Sequence, residues 1–211
     1  LFFGAGNLIF PVHMGQLAGA NSYIAALGFI VTAVGLPLMG VAAFGISRSD
    51  DLLAMSSRVG KGYGVFFTCA LYLTIGPLFA IPRCAATSFT IGVEPMLTGG
   101  AVTELAIFSV IFFALVLFFS LRPSKILTWV GRIINPLFLV FLAVLVVTAL
   151  VKPVAAVSSV APEGAYASSA FSAGFLDGYN TMDALASLAF GVIVVGVIRD
   201  LGIKHDAAVA G

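Results

Sequence analysis

Charge is the scarcest property of this chain. Only 9% of its 211 residues are Asp, Glu, Lys or Arg, while 61% are hydrophobic, and the mean hydropathy is +1.15. A soluble domain carries about 25% charged residues. So little charge cannot cover a water-facing surface, and lipid is the expected solvent for most of the chain. The net charge of +1, with its lysines and arginines scattered, excludes a nucleic-acid surface. Cysteine is nearly absent. Cys69 and Cys84 lack the pair spacing of a zinc site and read as small buried residues. The two histidines, His13 and His205, are expected near opposite membrane faces, so no His/Asp/Ser cluster forms at membrane depth and an embedded enzyme is disfavoured. A phosphate-binding loop is missing too, so ATP-driven transport would need a separate subunit.

Long apolar runs are what remains. Spanning a bilayer takes about 20 apolar residues as a helix. Six runs qualify: 1–19, 22–46, 63–91, 104–121, 126–151 and 175–198. They are continuous, whereas β-barrel strands alternate in short segments. The expected fold is therefore an all-α integral membrane domain. The absence of Met at the start, inside an apolar run, and the polar end "RDLGIKHDAAVAG" mark the chain as an expected fragment. Recurrent apolar runs and no basic leader argue against a signal peptide.

If the spans alternate, Arg48, Arg58, Lys61, Arg122, Lys125, Arg132, Arg199 and Lys204 share one side. Only Lys152 and Arg83 fall toward the other. Basic loops stay cytoplasmic, so the N-terminus is expected in the cytoplasm and the loop between helices 5 and 6, "KPVAAVSSVAPEGAYASSAFSAG", outside and partly mobile. Arg83 is expected to snorkel to outer headgroups. "SRSDDLLAMSSRVGKG" reads as a short interfacial helix.

Several runs carry their own breakers. "LFFGAGNLIFP" places Gly4, Gly6, Asn7 and Pro11 inside the first span. An unpaired backbone group in hydrocarbon is costly, so a break there survives only with a ligand, ion, water or neighbouring helix to satisfy it. Transporters use such breaks to hold carboxylates and cations. Close helix packing is the competing reading of Gly4 and Gly6. Helix 6 repeats the pattern with Ser187, Phe190, Gly191 and Gly196, and Asn180, Thr181 and Asp183 precede it as a polar start, Thr181 a possible cap. Helix 3 carries Gly76, Pro77 and Pro82, with Tyr72 and Thr74 just before the kink. Pro37 and Asn135-Pro136 read as ordinary kinks, and His13 with Gln16 as an interfacial polar pair. Two interrupted spans five helices apart point to a repeat of five helices, with helix 6 opening its inverted partner.

"LFFGAGNLIFP", "TIGPLFAIPR" and "DGYNTMDALASLAFG" resemble the signatures of the branched-chain amino acid:cation symporter family over nearly the whole chain. The resemblance implies the N-terminal half of a five-plus-five inverted-repeat transporter, with broken helices 1 and 6 and a missing C-terminal half. It implies an amino acid substrate with a branched aliphatic side chain, held by Gly4, Ala5, Gly6, Asn7, Tyr72, Ser187, Phe190 and Gly191. It further implies a Na⁺ ion beside helix 1, with Phe3, Ala5 and Asn7 as its ligands. The spacing from Asn7 to Phe10-Pro11 is one residue shorter than in related sodium symporters, which leaves the ligand set open. No acidic residue is expected squarely in either break, which argues against cationic substrates and favours Na⁺ over H⁺. No other cofactor is implied. The expected location is the plasma membrane, and a channel is the alternative from another class.

Overall fold

Lipid offers no hydrogen bonds, so the apolar runs pair their backbone groups internally. The computed structural model describes residues 4–49, 51–97, 101–121, 132, 135–152 and 159–200. Among these, helices are the only regular elements. They are α1 (Ala5–Ala18), α2 (Ser22–Ile30), α3 (Leu36–Ser47), α4 (Leu52–Ser56), α5 (Lys61–Leu73), α6 (Ala80–Gly92), α7 (Ala101–Ser120), α8 (Asn135–Val151), α9 (Ala165–Asn180) and α10 (Asp183–Asp200).

Three helical stretches are long and apolar enough to cross a membrane: Ala5–Ser47, Lys61–Met96 and Val102–Ser120. Ala165–Asn180 and Asp183–Ile198 form a fourth if taken together across their 41° bend. Forty-three residues of helix would span roughly 65 Å, about twice the bilayer core. Gly19, at φ 44° and ψ −124°, divides that first stretch into α1 and the pair α2–α3. Proline shapes the interruptions inside the longer spans. A π-helical turn at Val31–Gly35 runs into Pro37, and another at Thr74–Leu78 contains Pro77 and the non-helical Gly76. Proline lacks an N–H, and the wider turn absorbs the lost bond and the ring.

The chain forms two compact units. In the first, residues 1–84 and 157–211, α9 lies along α2 and α10 along α3. Met14, Ala18, Ala25, Tyr166, Ala170 and Ala173 form one core. Phe44, Leu52, Leu71, Ala189 and Val195 form the other. Small residues dominate where α2 meets α9, and they let the backbones approach closely. Thr32, fully buried in the first π-turn, donates to the Phe175 carbonyl at 2.8 Å and so ties helix 2 to α9. In the second unit, residues 85–156, the Phe89 ring tilts onto Phe108 and Phe108 stacks on Phe112, while α8 has no buried residue among those described. Apolar helices exposed in this way need lipid or further helices around them.

Two expectations about helix 6 change. The segment before it is not loop throughout, because α9 begins at Ala165 and packs its alanines and glycines onto α2. The break lies at Thr181–Met182, whereas Ser187, Phe190 and Gly191 fall inside the continuous α10. Met182 takes a left-handed φ of 67°, which ends α9 as a C-terminal cap residue does. The short helix expected after helix 2 is α4, whose N-cap Asp51 accepts from the Ala54 N–H at 2.5 Å.

Candidate functional site

The site is built from the start of α1 and the break between α9 and α10. Gly4 is extended, at φ −129° and ψ −176°, and helix begins at Ala5. The expected unwinding over Gly4–Asn7 is therefore confined, among described residues, to Gly4. Asn7 makes the difference. Its Oδ1 accepts from the Gly4 N–H at 3.2 Å, and its own N–H donates to the Gly4 carbonyl at 3.1 Å. The pair closes the first turn in place of a free, open segment. Phe3 lies outside the described residues.

Asn7 also reaches across the fold. Its Nδ2 donates to Asp183 Oδ2 at 2.5 Å, between residues 176 apart in sequence. Both contacts demand the same amide orientation, oxygen to the Gly4 N–H and nitrogen to the carboxylate. Asp183 is only 4% exposed, in the first turn of α10, where helix N–H groups favour negative charge. An acidic residue thus does stand in the break of helix 6. The sequence signal was present in "NTMD", but Asp183 reads there as an ordinary helix-start residue.

The carbonyl side of the break has its own partner. Arg83 Nη1 donates to the Asn180 carbonyl at 2.7 Å and Nη2 to the Thr181 carbonyl at 3.3 Å. Its guanidinium lies 5.8 Å from the Phe10 ring centroid and 5.5 Å from that of Phe79. Arg83 therefore turns inward to the end of α9, and the expected role at the headgroups does not describe it. Thr181 closes the gap. Its hydroxyl donates to the Gly178 carbonyl at 2.7 Å and accepts from the Asp183 N–H at 3.4 Å. Gly6 sits against this knot. A Cβ there would lie 2.9 Å from Thr181 Cα and 3.1 Å from Arg83 Nη2.

A cavity of about 240 Å³ opens beside the pair, lined by Asn7, Ala33, Val34, Pro37, Leu38, Val41 and Asp183. Among the described residues that line it, Asn7 and Asp183 are the polar ones; the rest are apolar residues of helix 2 around its π-turn.

The other predicted site residues are distributed differently. Gly4, Ala5, Gly6 and Asn7 are together at the α1 start. Ser187 is fully buried, donates to the Ala184 carbonyl at 2.7 Å, and fills the notch over Gly40 of α3. Gly191 lets the Phe44 ring approach. Both sit in the α3–α10 seam, Ser187 one helical turn beyond Asp183. Phe190 is exposed, and Tyr72 donates from helix 3 to the Ala189 carbonyl at 3.3 Å. His13 lies 3.9 Å from Asp177, which also accepts from the Tyr166 hydroxyl. Among the described residues, no group of three or more His, Cys, Asp or Glu is arranged to hold a metal ion.

A bent apolar helix pair whose polar break meets the start of another apolar helix is an arrangement that membrane transporters use to form binding sites. The family described as "Branched-chain amino acid transport protein" matches residues 1–211. The chain is 51% identical to the branched-chain amino acid permease BrnQ of Lactobacillus delbrueckii subsp. lactis, over 100% of this chain and 48% of that protein. It is 48% identical to BrnQ of Bacillus subtilis, over 96% of this chain and 46% of the relative. With the branched-chain amino acid transport system 3 carrier protein of Pseudomonas aeruginosa it shares 44% identity, over 97% and 46%. No solved structure matches. The chain belongs to the branched-chain amino acid transport protein family, and its relatives carry the names of permeases and carriers, not of enzymes. It spans about half the length of the curated relatives it matches.

Proposed function

We propose that the full-length protein is a secondary active carrier that imports leucine, isoleucine and valine together with a cation, Na⁺ first, by alternating access. The observation that carries this reading is the meeting of the α1 start with the α9–α10 break through Asn7 and Asp183. The start of one helix and the break of another gather polar groups among apolar helices, and such groups require a polar occupant or each other. The relatives' names supply the substrate class. In this proposal the chain is the N-terminal half of a five-plus-five inverted repeat, the missing half completes the site, and Gly4, Ala5, Gly6 and Asn7 with Tyr72 and Phe190 hold the substrate. Ala5 and Asn7, with Phe3, remain the proposed surroundings of Na⁺. H⁺ coupling is the second reading, and the buried Asp183 favours it by supplying a titratable group at the break.

Uptake of labelled leucine by the full-length protein in proteoliposomes tests the function. Accumulation should follow an inward Na⁺ gradient; no leucine uptake under any cation gradient defeats the carrier reading. The plasma-membrane orientation, basic loops inside, is checked with the native cysteines replaced. Cysteine at the exposed Val59 should react with an impermeant thiol reagent only in opened cells, and cysteine at Ala161 in intact ones. Reversed labelling inverts the topology.

A further inference from the structure

We infer that the Asp183 carboxylate is the group that the coupling cation neutralises, an inference that rests on the carrier reading above. Three observations lead there. First, Asp183 is buried with neutral side-chain partners, the Asn7 amide and the Thr181 hydroxyl, and although Arg83 is close enough to act on its charge, among the described residues no Lys or Arg forms an ion pair with it. A buried carboxylate in an apolar bundle calls for positive charge or a proton. Second, the carbonyls at the break already have donors. Asn180 and Thr181 accept from Arg83, and Gly178 accepts from the Thr181 N–H and hydroxyl. The carboxylate is thus the anionic oxygen left facing the cavity, beside Asn7. Third, Pro11 cannot donate to the Asn7 carbonyl, so one backbone oxygen of the same residue lacks its i+4 donor. Hard oxygen ligands of this kind suit an alkali cation.

The consequence is a link between the two helices. The Asn7 amide donates to an ionised Asp183 across the gap between α1 and the break. A cation on the carboxylate weakens that hold. Cation occupancy therefore changes how firmly α1 is tied to α10, which is where the proposed substrate site lies. Among the described residues, few other charges face this point. Helix 3 contributes Arg83, committed to the α9 carbonyls; α9 carries Asp177, held by Tyr166 and facing His13 on α1. The helix 2 side of the cavity offers only Ala33, Val34, Pro37, Leu38 and Val41.

The test uses the full-length protein in proteoliposomes, with leucine accumulation measured as a ratio, gradient over no gradient, in separate Na⁺ and pH arms. In Asp183→Asn that ratio should fall toward one in the Na⁺ arm, and in Asp183→Glu it should recover in part. The cation concentration for half-maximal leucine binding should rise about tenfold or more in Asp183→Asn, the scale of one charged ligand lost. An unchanged ratio and half-point in Asp183→Asn overturn the inference. So does loss of leucine binding in both variants at every cation concentration, which would make Asp183 a substrate or structural residue. Should Asp183→Asn fail to fold, the wild type decides. Na⁺ should slow modification of Asp183 by a hydrophobic carbodiimide, read by peptide mass spectrometry. Labelling that Na⁺ leaves unchanged overturns the inference. Wild-type protein that moves no leucine defeats the carrier reading, while wild-type coupling with an indifferent Asp183 defeats this inference alone.

Discussion

Arg83 and Asn180 lie 97 residues apart, yet the guanidinium donates to the Asn180 carbonyl at 2.7 Å and caps the end of α9. A cation at a helix C-terminus answers both the unpaired carbonyls and the negative end of the helix dipole. The same side chain reaches Thr181 and lies by Phe10 and Phe79. Replacing Arg83 with Gln should destabilise the full-length protein by about 1–3 kcal/mol, because the carbonyls lose a charged donor. Lys should recover less than half, since an ammonium cannot fork onto two carbonyls as a guanidinium does. Thermal unfolding in detergent measures this. A Gln variant as stable as the wild type would show that the cap contributes nothing.

Gly6 and Gly4 should answer differently to alanine. The added Cβ at Gly6 meets Thr181 Cα at 2.9 Å, and backbone there has no flexible end to move aside. At Gly4 the nearest atom is Asn7 Oδ1 at 4.0 Å, and the extended backbone is open to any residue. Gly6→Ala should therefore lower leucine uptake by about tenfold or more, the scale of overpacking a tight contact. Gly4→Ala should stay within about twofold, as expected where no contact changes. Equal losses would mean that flexibility, not close approach, is what both glycines supply.

Ser187 and Gly40 form a knob and a notch between α10 and α3. Gly40→Ala overlaps the Ser187 hydroxyl and should cost about 1–3 kcal/mol. Ser187→Ala should partly relieve that loss in the double variant, a coupling that melting curves resolve. Ser187→Ala alone should leave the leucine half-saturation within about twofold, because its buried hydroxyl is spent on the Ala184 carbonyl inside the seam. A large rise in that value would return Ser187 to the substrate site.

Much was legible in the residues alone. Composition settled lipid as the solvent, because 9% charge cannot cover a soluble surface. Apolar runs settled helices, because hydrocarbon leaves the backbone no other donors. The interruption of helix 3 was readable at Gly76-Pro77, since a proline's missing N–H is a local fact. The three motifs carried the family, which the match over residues 1–211 shows.

What the tertiary structure alone decided concerns partners far apart in sequence. "SLAFG" reads as an interruption, yet its serine and glycine are packing residues, because Gly40 and Phe44 of another helix stand opposite them. The break formed instead at Thr181–Met182, where Arg83 and the Thr181 hydroxyl could take up the freed backbone groups. Asp183 looks like any acid at a helix start until Asn7 is placed beside it. Local pattern dictates where a helix can stop. Whether it does stop depends on which distant side chain is there to satisfy the exposed backbone, and that is settled only when the helices pack.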